Sequence, residues 1–189
     1  MARPLSPPKA QGFWRPHRFA RSMKGVGNFA SFAKRELTEQ DKMLEEVKRL
    51  VNEKSTPEAL FEAAATALSQ LPKHTWVGVY MVEGGDLVLK AWKGPQATQH
   101  VRIPIGEGVC GAAAKSGKTE VVPDVSKDPR YLQCFPSTRS EIVVPIKDGK
   151  QVYGEIDVDG DELDAFGEKD KVFLEKLAFH LMLGVRGKT

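Results

Sequence analysis

Acidic residues alternate near the end of the chain, at Glu155, Asp157 and Asp159. Residues two apart in a β-strand face the same side, so these carboxyl groups should share one face, together with Tyr153. Glu141 lies on the strand-like run before them. This face is either the solvated side of a half-exposed strand or the lining of a covered site. Under a cover the carboxyl groups would repel one another, and one that kept its proton could protonate a substrate oxygen.

The chain has two cysteines, which are candidates for nucleophilic or redox chemistry. Cys110 lies in the first turn of a predicted short helix, and a helix N-terminus lowers the pKa of a thiol. Cys134 lies in a long irregular segment, residues 124–140, with Arg130 and Arg139 nearby in sequence. A loop cysteine that faces a second cysteine suits a redox cycle. Two cysteines that never meet would be ordinary buried side chains, and both interpretations stay open.

Aromatic residues mark one face of the first predicted strand, where Trp76, Gly78 and Tyr80 alternate. They are either core residues or, if this strand lies beside the carboxylate strand, an aromatic wall for a small ligand. A lone histidine such as His100 is more often structural than a ligand, and a role in activating a thiol stays open. No Cys/His spacing typical of zinc occurs, so no metal site is predicted. The glycine-rich run 106–111 lacks the Gly-Lys-Ser/Thr ending of a phosphate loop.

The order of predicted elements indicates how these side chains are positioned. Apolar residues at helical spacing predict two helices before the strands and one after them. β-branched and aromatic runs predict strands at about residues 75–82, 87–92, 101–105, 119–123, 141–146 and 151–158. Because the strands follow one another between terminal helices, we expect an α+β fold with a central antiparallel sheet of five or six strands. The helices should cover one face, and the long loop should cover a pocket on the other.

Two of the helix predictions concern particular residues. The second helix should begin at Pro57, with Ser55 and Glu58 at the spacing of a capping box. The last helix should turn one set of apolar side chains inward: Val172, Phe173, Leu177 and Leu181.

Composition and charge exclude several classes of protein. No apolar run approaches the roughly 20 residues that span a bilayer, and the N-terminus lacks the apolar stretch of a secretory signal. Two cysteines cannot form a disulfide framework, so a reducing, cytoplasmic location is predicted. The 28 Lys and Arg include eight in residues 1–35, which leaves 20 against all 25 acidic residues. The remainder is therefore acidic, and no nucleic-acid surface is predicted.

Residues 1–35 mix Pro, Arg, Gly and Ser without a sustained period. They are predicted to be a basic, disordered N-terminal extension, followed by a single domain over residues 36–189. Three alternatives stay open for the extension: an arm attracted to phosphate or to a membrane, an organelle transit peptide, and a true start at Met23.

Five short motifs together resemble one family. They are WVGVY at 76–80, VRIPIG at 101–106, GVCG at 108–111, SEIVVP at 140–145 and DVD at 157–159. These motifs resemble the GAF domains of the free methionine-(R)-sulfoxide reductases, over about residues 40–183. The SEIVVP run and the Asp-x-Asp pair are the more specific of them. The resemblance implies a GAF fold with a loop-covered small-molecule pocket.

The resemblance also implies a reaction, with no bound cofactor. Cys134 would attack the sulfur of free methionine sulfoxide, release methionine and become a sulfenic acid. Cys110 would close a disulfide, which thioredoxin, as external reductant and partner, would reduce. The carboxyl groups of Glu141, Asp157 and Asp159 would bind the sulfoxide and amino groups of the substrate. The aromatic rings of Trp76 and Tyr80 would hold its methyl end.

One position departs from the family pattern. Many members carry a further resolving cysteine just before the VRIP run, and this chain has His100 there. The alternative function is therefore a non-catalytic GAF module that binds a small ligand and signals to a partner. A homodimer is compatible with either function, because paired GAF domains often associate through apolar faces of their first and last helices.

Overall fold

Residues 36–186 are described by the computed structural model of the chain. The elements follow in this order: α1 Glu39–Asn52, α2 Pro57–Leu68, β1 Trp76–Glu83, β2 Asp86–Lys93, β3 Arg102–Pro104, α3 Gly108–Ser116, β4 Glu120–Val122, β5 Ser140–Asp148, β6 Gln151–Gly160 and α4 Glu168–Val185. A 3₁₀ turn, Val125–Lys127, lies between β4 and β5. The predicted extension, residues 1–35, lies outside the described residues, so its disorder and the domain boundary stay predictions.

The six strands form one antiparallel sheet in the order β3-β2-β1-β6-β5-β4. The predicted α+β architecture is confirmed. Tight turns join the neighbouring strands, at Gly84 and Gly85 between β1 and β2 and at Gly149 between β5 and β6. All three glycines have positive φ values, which side chains with a Cβ rarely adopt. In this strand order the two central strands, β1 and β6, are adjacent in the sheet although they are distant in sequence.

Side chains of the central strands alternate between two separate cores. Val77 and Val79 of β1, with Ile156 and Val158 of β6, share one core with buried residues of α1, α2 and α4. The opposite side chains of β1 join a second core, which includes residues of α3 and of the segment between β4 and β5. Helices cover one face, and α3 with the long loop covers the other, as the sequence predicts.

Local signals set the helix ends. Thr38 caps α1, with its side chain accepting from the Asp41 backbone N–H and the Asp41 side chain accepting from that of Thr38. The cap of α2 is Thr56, whose hydroxyl accepts from the Ala59 N–H at 3.3 Å, so the predicted role of Ser55 was wrong.

The inward face of α4 also differs by one position from the prediction. Leu174 is buried, with Phe173, Leu177 and Leu181, whereas Val172 is exposed. The apolar stripe is thus turned slightly about the helix axis.

A bulge in β6 separates Tyr153 from the acidic residues. Ile146 pairs with Gly154 and Lys147 pairs with Val152, so Tyr153 is an extra residue on its strand. Its side chain packs against the helical core, and the prediction that it shares the acidic face was wrong. Gly154 is required beside it, because a Cβ there would lie 2.1 Å from the Tyr80 carbonyl oxygen.

Within residues 36–186, none of the helices combines the length and the apolar character needed to cross a bilayer.

The packing of α4 can be tested with a matched pair of leucines. Leu181 is fully buried between the helices and the sheet, and Leu183 is 42% exposed. Leu181→Ala should lower the free energy of unfolding by about 2–5 kcal/mol, through lost burial and a cavity. Leu183→Ala should change it by less than about 0.5 kcal/mol. Urea denaturation followed by tryptophan fluorescence measures both, and equal losses would contradict the assigned face of α4.

Candidate active site

The pairing of β1 with β6 brings the predicted aromatic and acidic residues together. Trp76 lies opposite Asp159, Gly78 opposite Asp157, and Tyr80 opposite Glu155. On the other side of β6, Glu141 of β5 lies opposite Asp159. The predicted shared face is thus present, with the aromatic strand directly beside the carboxylate strand.

Gly78 lets the two aromatic rings close over the strand. A Cβ at this position would lie 2.6 Å from the ring of Trp76 and 2.9 Å from that of Tyr80. Both aromatic residues are buried. Together they form an apolar wall directly opposite Asp157, as an aromatic wall for a small ligand requires.

The long loop is pinned over this face by its own apolar side chains. Phe135 is buried and packs on Trp76, with 5.6 Å between ring centroids. Leu132 packs against Gly108, where a Cβ would lie 2.8 Å from its Cδ1. Cys134 lies between these two anchors, so its thiol is held close to the sheet rather than out in solvent.

The four carboxyl groups are almost completely buried: Glu141, Glu155, Asp157 and Asp159 are 5%, 0%, 2% and 2% exposed. The interpretation of this face as a solvated strand surface was therefore wrong. Several of their oxygens have no hydrogen-bond partner, namely Oε2 of Glu141, both Oε atoms of Glu155, Oδ1 of Asp157 and Oδ2 of Asp159. A buried polar atom left unpaired costs about 1–3 kcal/mol. Such a cost is recovered when a polar ligand supplies the missing bonds.

Burial and mutual repulsion raise the pKa values of these acids. Burial is the largest cause for Glu141, followed by the charges of Asp157 and Asp159, and its pKa lies well above the ordinary value. The pKa values of Glu155 and Asp159 are raised in the same way. Burial raises the pKa of Asp157 to about 7. The carboxyl groups of this site therefore keep their protons to higher pH than exposed acids do, the direction that the sequence predicts for a covered cluster.

Cys110 lies at the base of the site. It is buried in the first turn of α3, and its Sγ donates to Oε1 of Glu141 at 3.8 Å. Burial raises the pKa of this thiol, and the charges of Asp157, Glu155 and Glu141 raise it further. The prediction that the helix N-terminus lowers this pKa was wrong, because burial and three facing carboxyl groups outweigh the helix dipole.

Cys134 is half-buried and faces the same acids. Burial raises the pKa of its thiol, and the charges of Asp157, Asp159 and Glu141 add to the effect. Arg130 does not offset them, because its guanidinium pairs with Asp128 at 2.7 Å and Glu120 at 3.1 Å. Both cysteines are free thiols, and both belong to the core on this face of the sheet.

His100, whose role the sequence leaves open between filling space and activating a thiol, lies beside the second cysteine. Its Nδ1 lies 3.1 Å from Sγ of Cys134. The contact joins residues 34 positions apart, so no local pattern predicts it. The available signal was its place in the family motif, where many reductases have a resolving cysteine.

Cys110, Glu141 and Asp157 also form a cluster of possible metal ligands, with donor atoms all within 4.8 Å of one another. They come from α3, β5 and β6, so their positions in sequence show no ligand spacing. The same atoms could equally serve a polar organic ligand.

Comparison with known proteins identifies the class. A family model described as the GAF domain matches residues 56–185. The chain belongs to the GAF domain family.

Within that family, the chain is similar to free methionine-R-sulfoxide reductases, which confirms the resemblance. It is 44% identical to that of Saccharomyces cerevisiae over 108 residues, 54% of this chain and 58% of the yeast protein. It is 31% identical to that of Escherichia coli over 132 residues, 70% of this chain and 79% of the bacterial protein. The structure of the Neisseria meningitidis reductase in complex with its substrate superposes with a TM-score of 0.71 at 35% identity, covering 77% of this chain and 87% of that one.

The raised pKa values predict how stability depends on pH. A carboxyl group with a raised pKa binds its proton more tightly in the folded state, so its contribution to stability is complete below its ordinary pKa and is lost as the pH rises. For Asp157 this contribution to stability is lost between pH 3.8, its ordinary pKa, and a pH of about 7, its pKa in the folded protein. Replacing this residue with a neutral amide removes that part of the dependence. As the pH rises across this range, the free energy of unfolding of Asp157→Asn should therefore increase relative to that of the wild type by up to about 4 kcal/mol.

Urea denaturation at a series of pH values measures the difference between the two proteins. Asp161→Asn, at an exposed position just after β6, is the matched control and should follow the wild-type curve. Parallel curves for Asp157→Asn and the wild type would contradict a buried, proton-bearing cluster.

Proposed function

We propose that the chain is an enzyme that reduces free methionine-(R)-sulfoxide to methionine, with Cys134 as nucleophile. The observation that carries the proposal is the thiol of Cys134 held over three buried carboxyl groups whose oxygens lack partners: Glu141, Asp157 and Asp159. Reductases of this specificity are among the relatives, at 31–44% identity. The similarity to a substrate complex supports a small amino acid as ligand.

The chemistry of the substrate matches the groups that line the site. A sulfoxide oxygen only accepts hydrogen bonds, so it requires donors, and protonated carboxyl groups supply them. The ammonium group of a free amino acid only donates and pairs with an ionised carboxylate. A cluster whose members hold protons unequally can serve both ends. The rings of Trp76 and Tyr80 then hold the methyl end.

The proposed step transfers one oxygen atom. A lone pair on Cys134 Sγ attacks the sulfoxide sulfur while a carboxyl proton moves onto the sulfoxide oxygen. The oxygen then passes to Cys134, which becomes a sulfenic acid as methionine leaves. The substrate sulfur gains two electrons and the cysteine sulfur loses two. The hydrogen of the Cys134 thiol becomes the hydrogen of the sulfenic acid. The proton that the carboxyl group had given to the sulfoxide oxygen returns to the carboxyl group.

The enzyme must then be reduced. The thiol of Cys110 attacks the sulfenic sulfur, water leaves, and a Cys110–Cys134 disulfide forms. Thioredoxin reduces this disulfide and is the proposed protein partner, with no bound cofactor in the cycle. Both thiols are free in this structure, so the two sulfur atoms must come within bonding distance during the cycle.

A cytoplasmic homodimer is the proposed setting. The exposed side of α4 carries Val172 and Phe179, which lie seven residues apart and so follow one stripe of the helix. A second copy of the chain would cover this stripe.

The function is tested by incubating the protein with racemic methionine sulfoxide, thioredoxin, thioredoxin reductase and NADPH. NADPH consumption should stop near half of the racemate, because only one epimer fits. Cys134→Ser should fall to the level of the blank, since no nucleophile remains. Gln133→Ser, at the exposed neighbouring position, is the matched control and should retain activity. Wild-type consumption equal to the blank would leave a non-catalytic, ligand-binding GAF module.

The role of Cys110 can be tested separately. Cys110→Ser should form about one methionine per protein and then stall, because the sulfenic acid on Cys134 finds no resolving thiol. A dimedone adduct at Cys134, located by mass spectrometry, would identify the stalled species. Continued turnover of this variant with thioredoxin would show that Cys110 does not resolve the intermediate.

A further inference from the structure

The Cys134 thiol has a chemical difficulty that the proposed step does not resolve. The thiolate is the nucleophilic form of cysteine. Burial and facing carboxyl groups raise the pKa of Cys134, so at neutral pH the sulfur keeps its proton. A group in contact with the sulfur must therefore take that proton when the attack begins.

Several titratable or polar groups surround the thiol of Cys134. They come from every element packed around it: Tyr80 of β1, Thr98 and His100 of the β2–β3 segment, Cys110 of α3, Tyr131 of the long loop, Glu141 of β5, and Asp157 and Asp159 of β6. The phenols and the second thiol have raised pKa values and act as acids. The three carboxyl groups are named above as donors to the substrate.

Two of these groups interact with the sulfur through polar contacts, and the thiol also donates to the Leu132 backbone carbonyl at 3.5 Å, an acceptor that is not a base at neutral pH. Thr98 lowers the pKa of the thiol through a hydrogen bond, but a hydroxyl is not a base at neutral pH. The imidazole of His100, with Nδ1 at 3.1 Å from Sγ, has a ring nitrogen that can accept a proton when it carries none. The distance falls within the reach required of a general base.

Hydrogen bonds hold the backbone of His100 at both its N–H and its carbonyl, and they therefore position the imidazole ring. The His100 N–H donates to the Thr98 hydroxyl at 3.0 Å. The His100 carbonyl accepts from the Tyr80 hydroxyl, also at 3.0 Å. The following residue, Val101, accepts at its carbonyl from the Leu89 N–H of β2 at 3.0 Å. Buried Tyr80 thus links the aromatic wall to the segment that positions the imidazole.

We propose that His100 is the general base that takes the proton of the Cys134 thiol as its sulfur attacks, a role that rests on the function proposed above. The S–H bond breaks, the proton passes to Nδ1, and the sulfur lone pair forms the bond to the sulfoxide sulfur. As the sulfur–oxygen bond of the substrate breaks and the oxygen bonds to Cys134, the imidazolium gives this proton to the sulfenic oxygen and returns to its neutral state. The carboxyl group takes back the proton that it had lent to the same oxygen. Position 100 thus supplies a base directly beside the cysteine of the long loop.

The role is tested with a reagent that involves no methionine sulfoxide. Iodoacetamide alkylates thiolates, and mass spectrometry of the peptides reports Cys134 and Cys110 separately. In His100→Asn the rate at Cys134 should fall at least about tenfold at neutral pH, and the rise of rate with pH should move to higher pH. The two proteins should converge at alkaline pH, where the thiol ionises without help. Methionine formed in a single turnover should appear about 100-fold more slowly.

Controls separate a base from a structural role. His100→Gln is a second variant without a base, and His180→Asn on α4 is a matched control that should alkylate at the wild-type rate. Wild-type rates and pH profiles at Cys134 in both His100 variants would overturn the proposal. Slower alkylation in both variants, together with no methionine formed by the wild type, would support the base and reject the proposed function.

Discussion

Four carboxyl groups buried on one face of a β-sheet are the constraint on which the site depends. Isolated in an apolar interior, these acids would be strongly unfavourable, and they are tolerated because repulsion and burial keep protons on them. Their unpartnered oxygens make this part of the molecule complementary to a small ligand with both donors and acceptors. The helices on the opposite face form an apolar core with the sheet, and this core stabilises the fold against the unfavourable burial of the carboxyl groups.

The same burial sets the reactivity of both cysteines. A thiol near ionised carboxylates, or deep in an apolar core, is a poor nucleophile. The structure compensates through geometry rather than through a lowered pKa, because an imidazole contacts the more accessible sulfur. Packing of Phe135 on Trp76 fixes the long loop to the sheet. The neighbouring residue, Cys134, is thereby held over the buried carboxyl groups.

Patterns with a fixed period could be predicted from the sequence, and contacts across the fold could not. Alternation placed Trp76 with Tyr80, and Asp157 with Asp159, on single faces, because period two follows from strand geometry. The bulge at Tyr153 breaks that period, and the glycine beside it, Gly154, is a signal of it that the alternation pattern does not use. The high pKa of Cys110 depends on acids from two other elements, and the contact of His100 depends on how two loops pack. Family resemblance supplied the site positions where periodicity could not.

The central claim is that a sulfoxide lies between the sulfur at position 134 and the buried acids. A crystal structure of the Cys134→Ser variant soaked with methionine-(R)-sulfoxide tests it most directly. We expect the sulfoxide sulfur about 3–3.5 Å from the side-chain oxygen at position 134, with the sulfoxide oxygen hydrogen-bonded to a carboxyl group of the cluster. A ligand bound elsewhere, or with its sulfoxide group turned away from the loop and the acids, would contradict it.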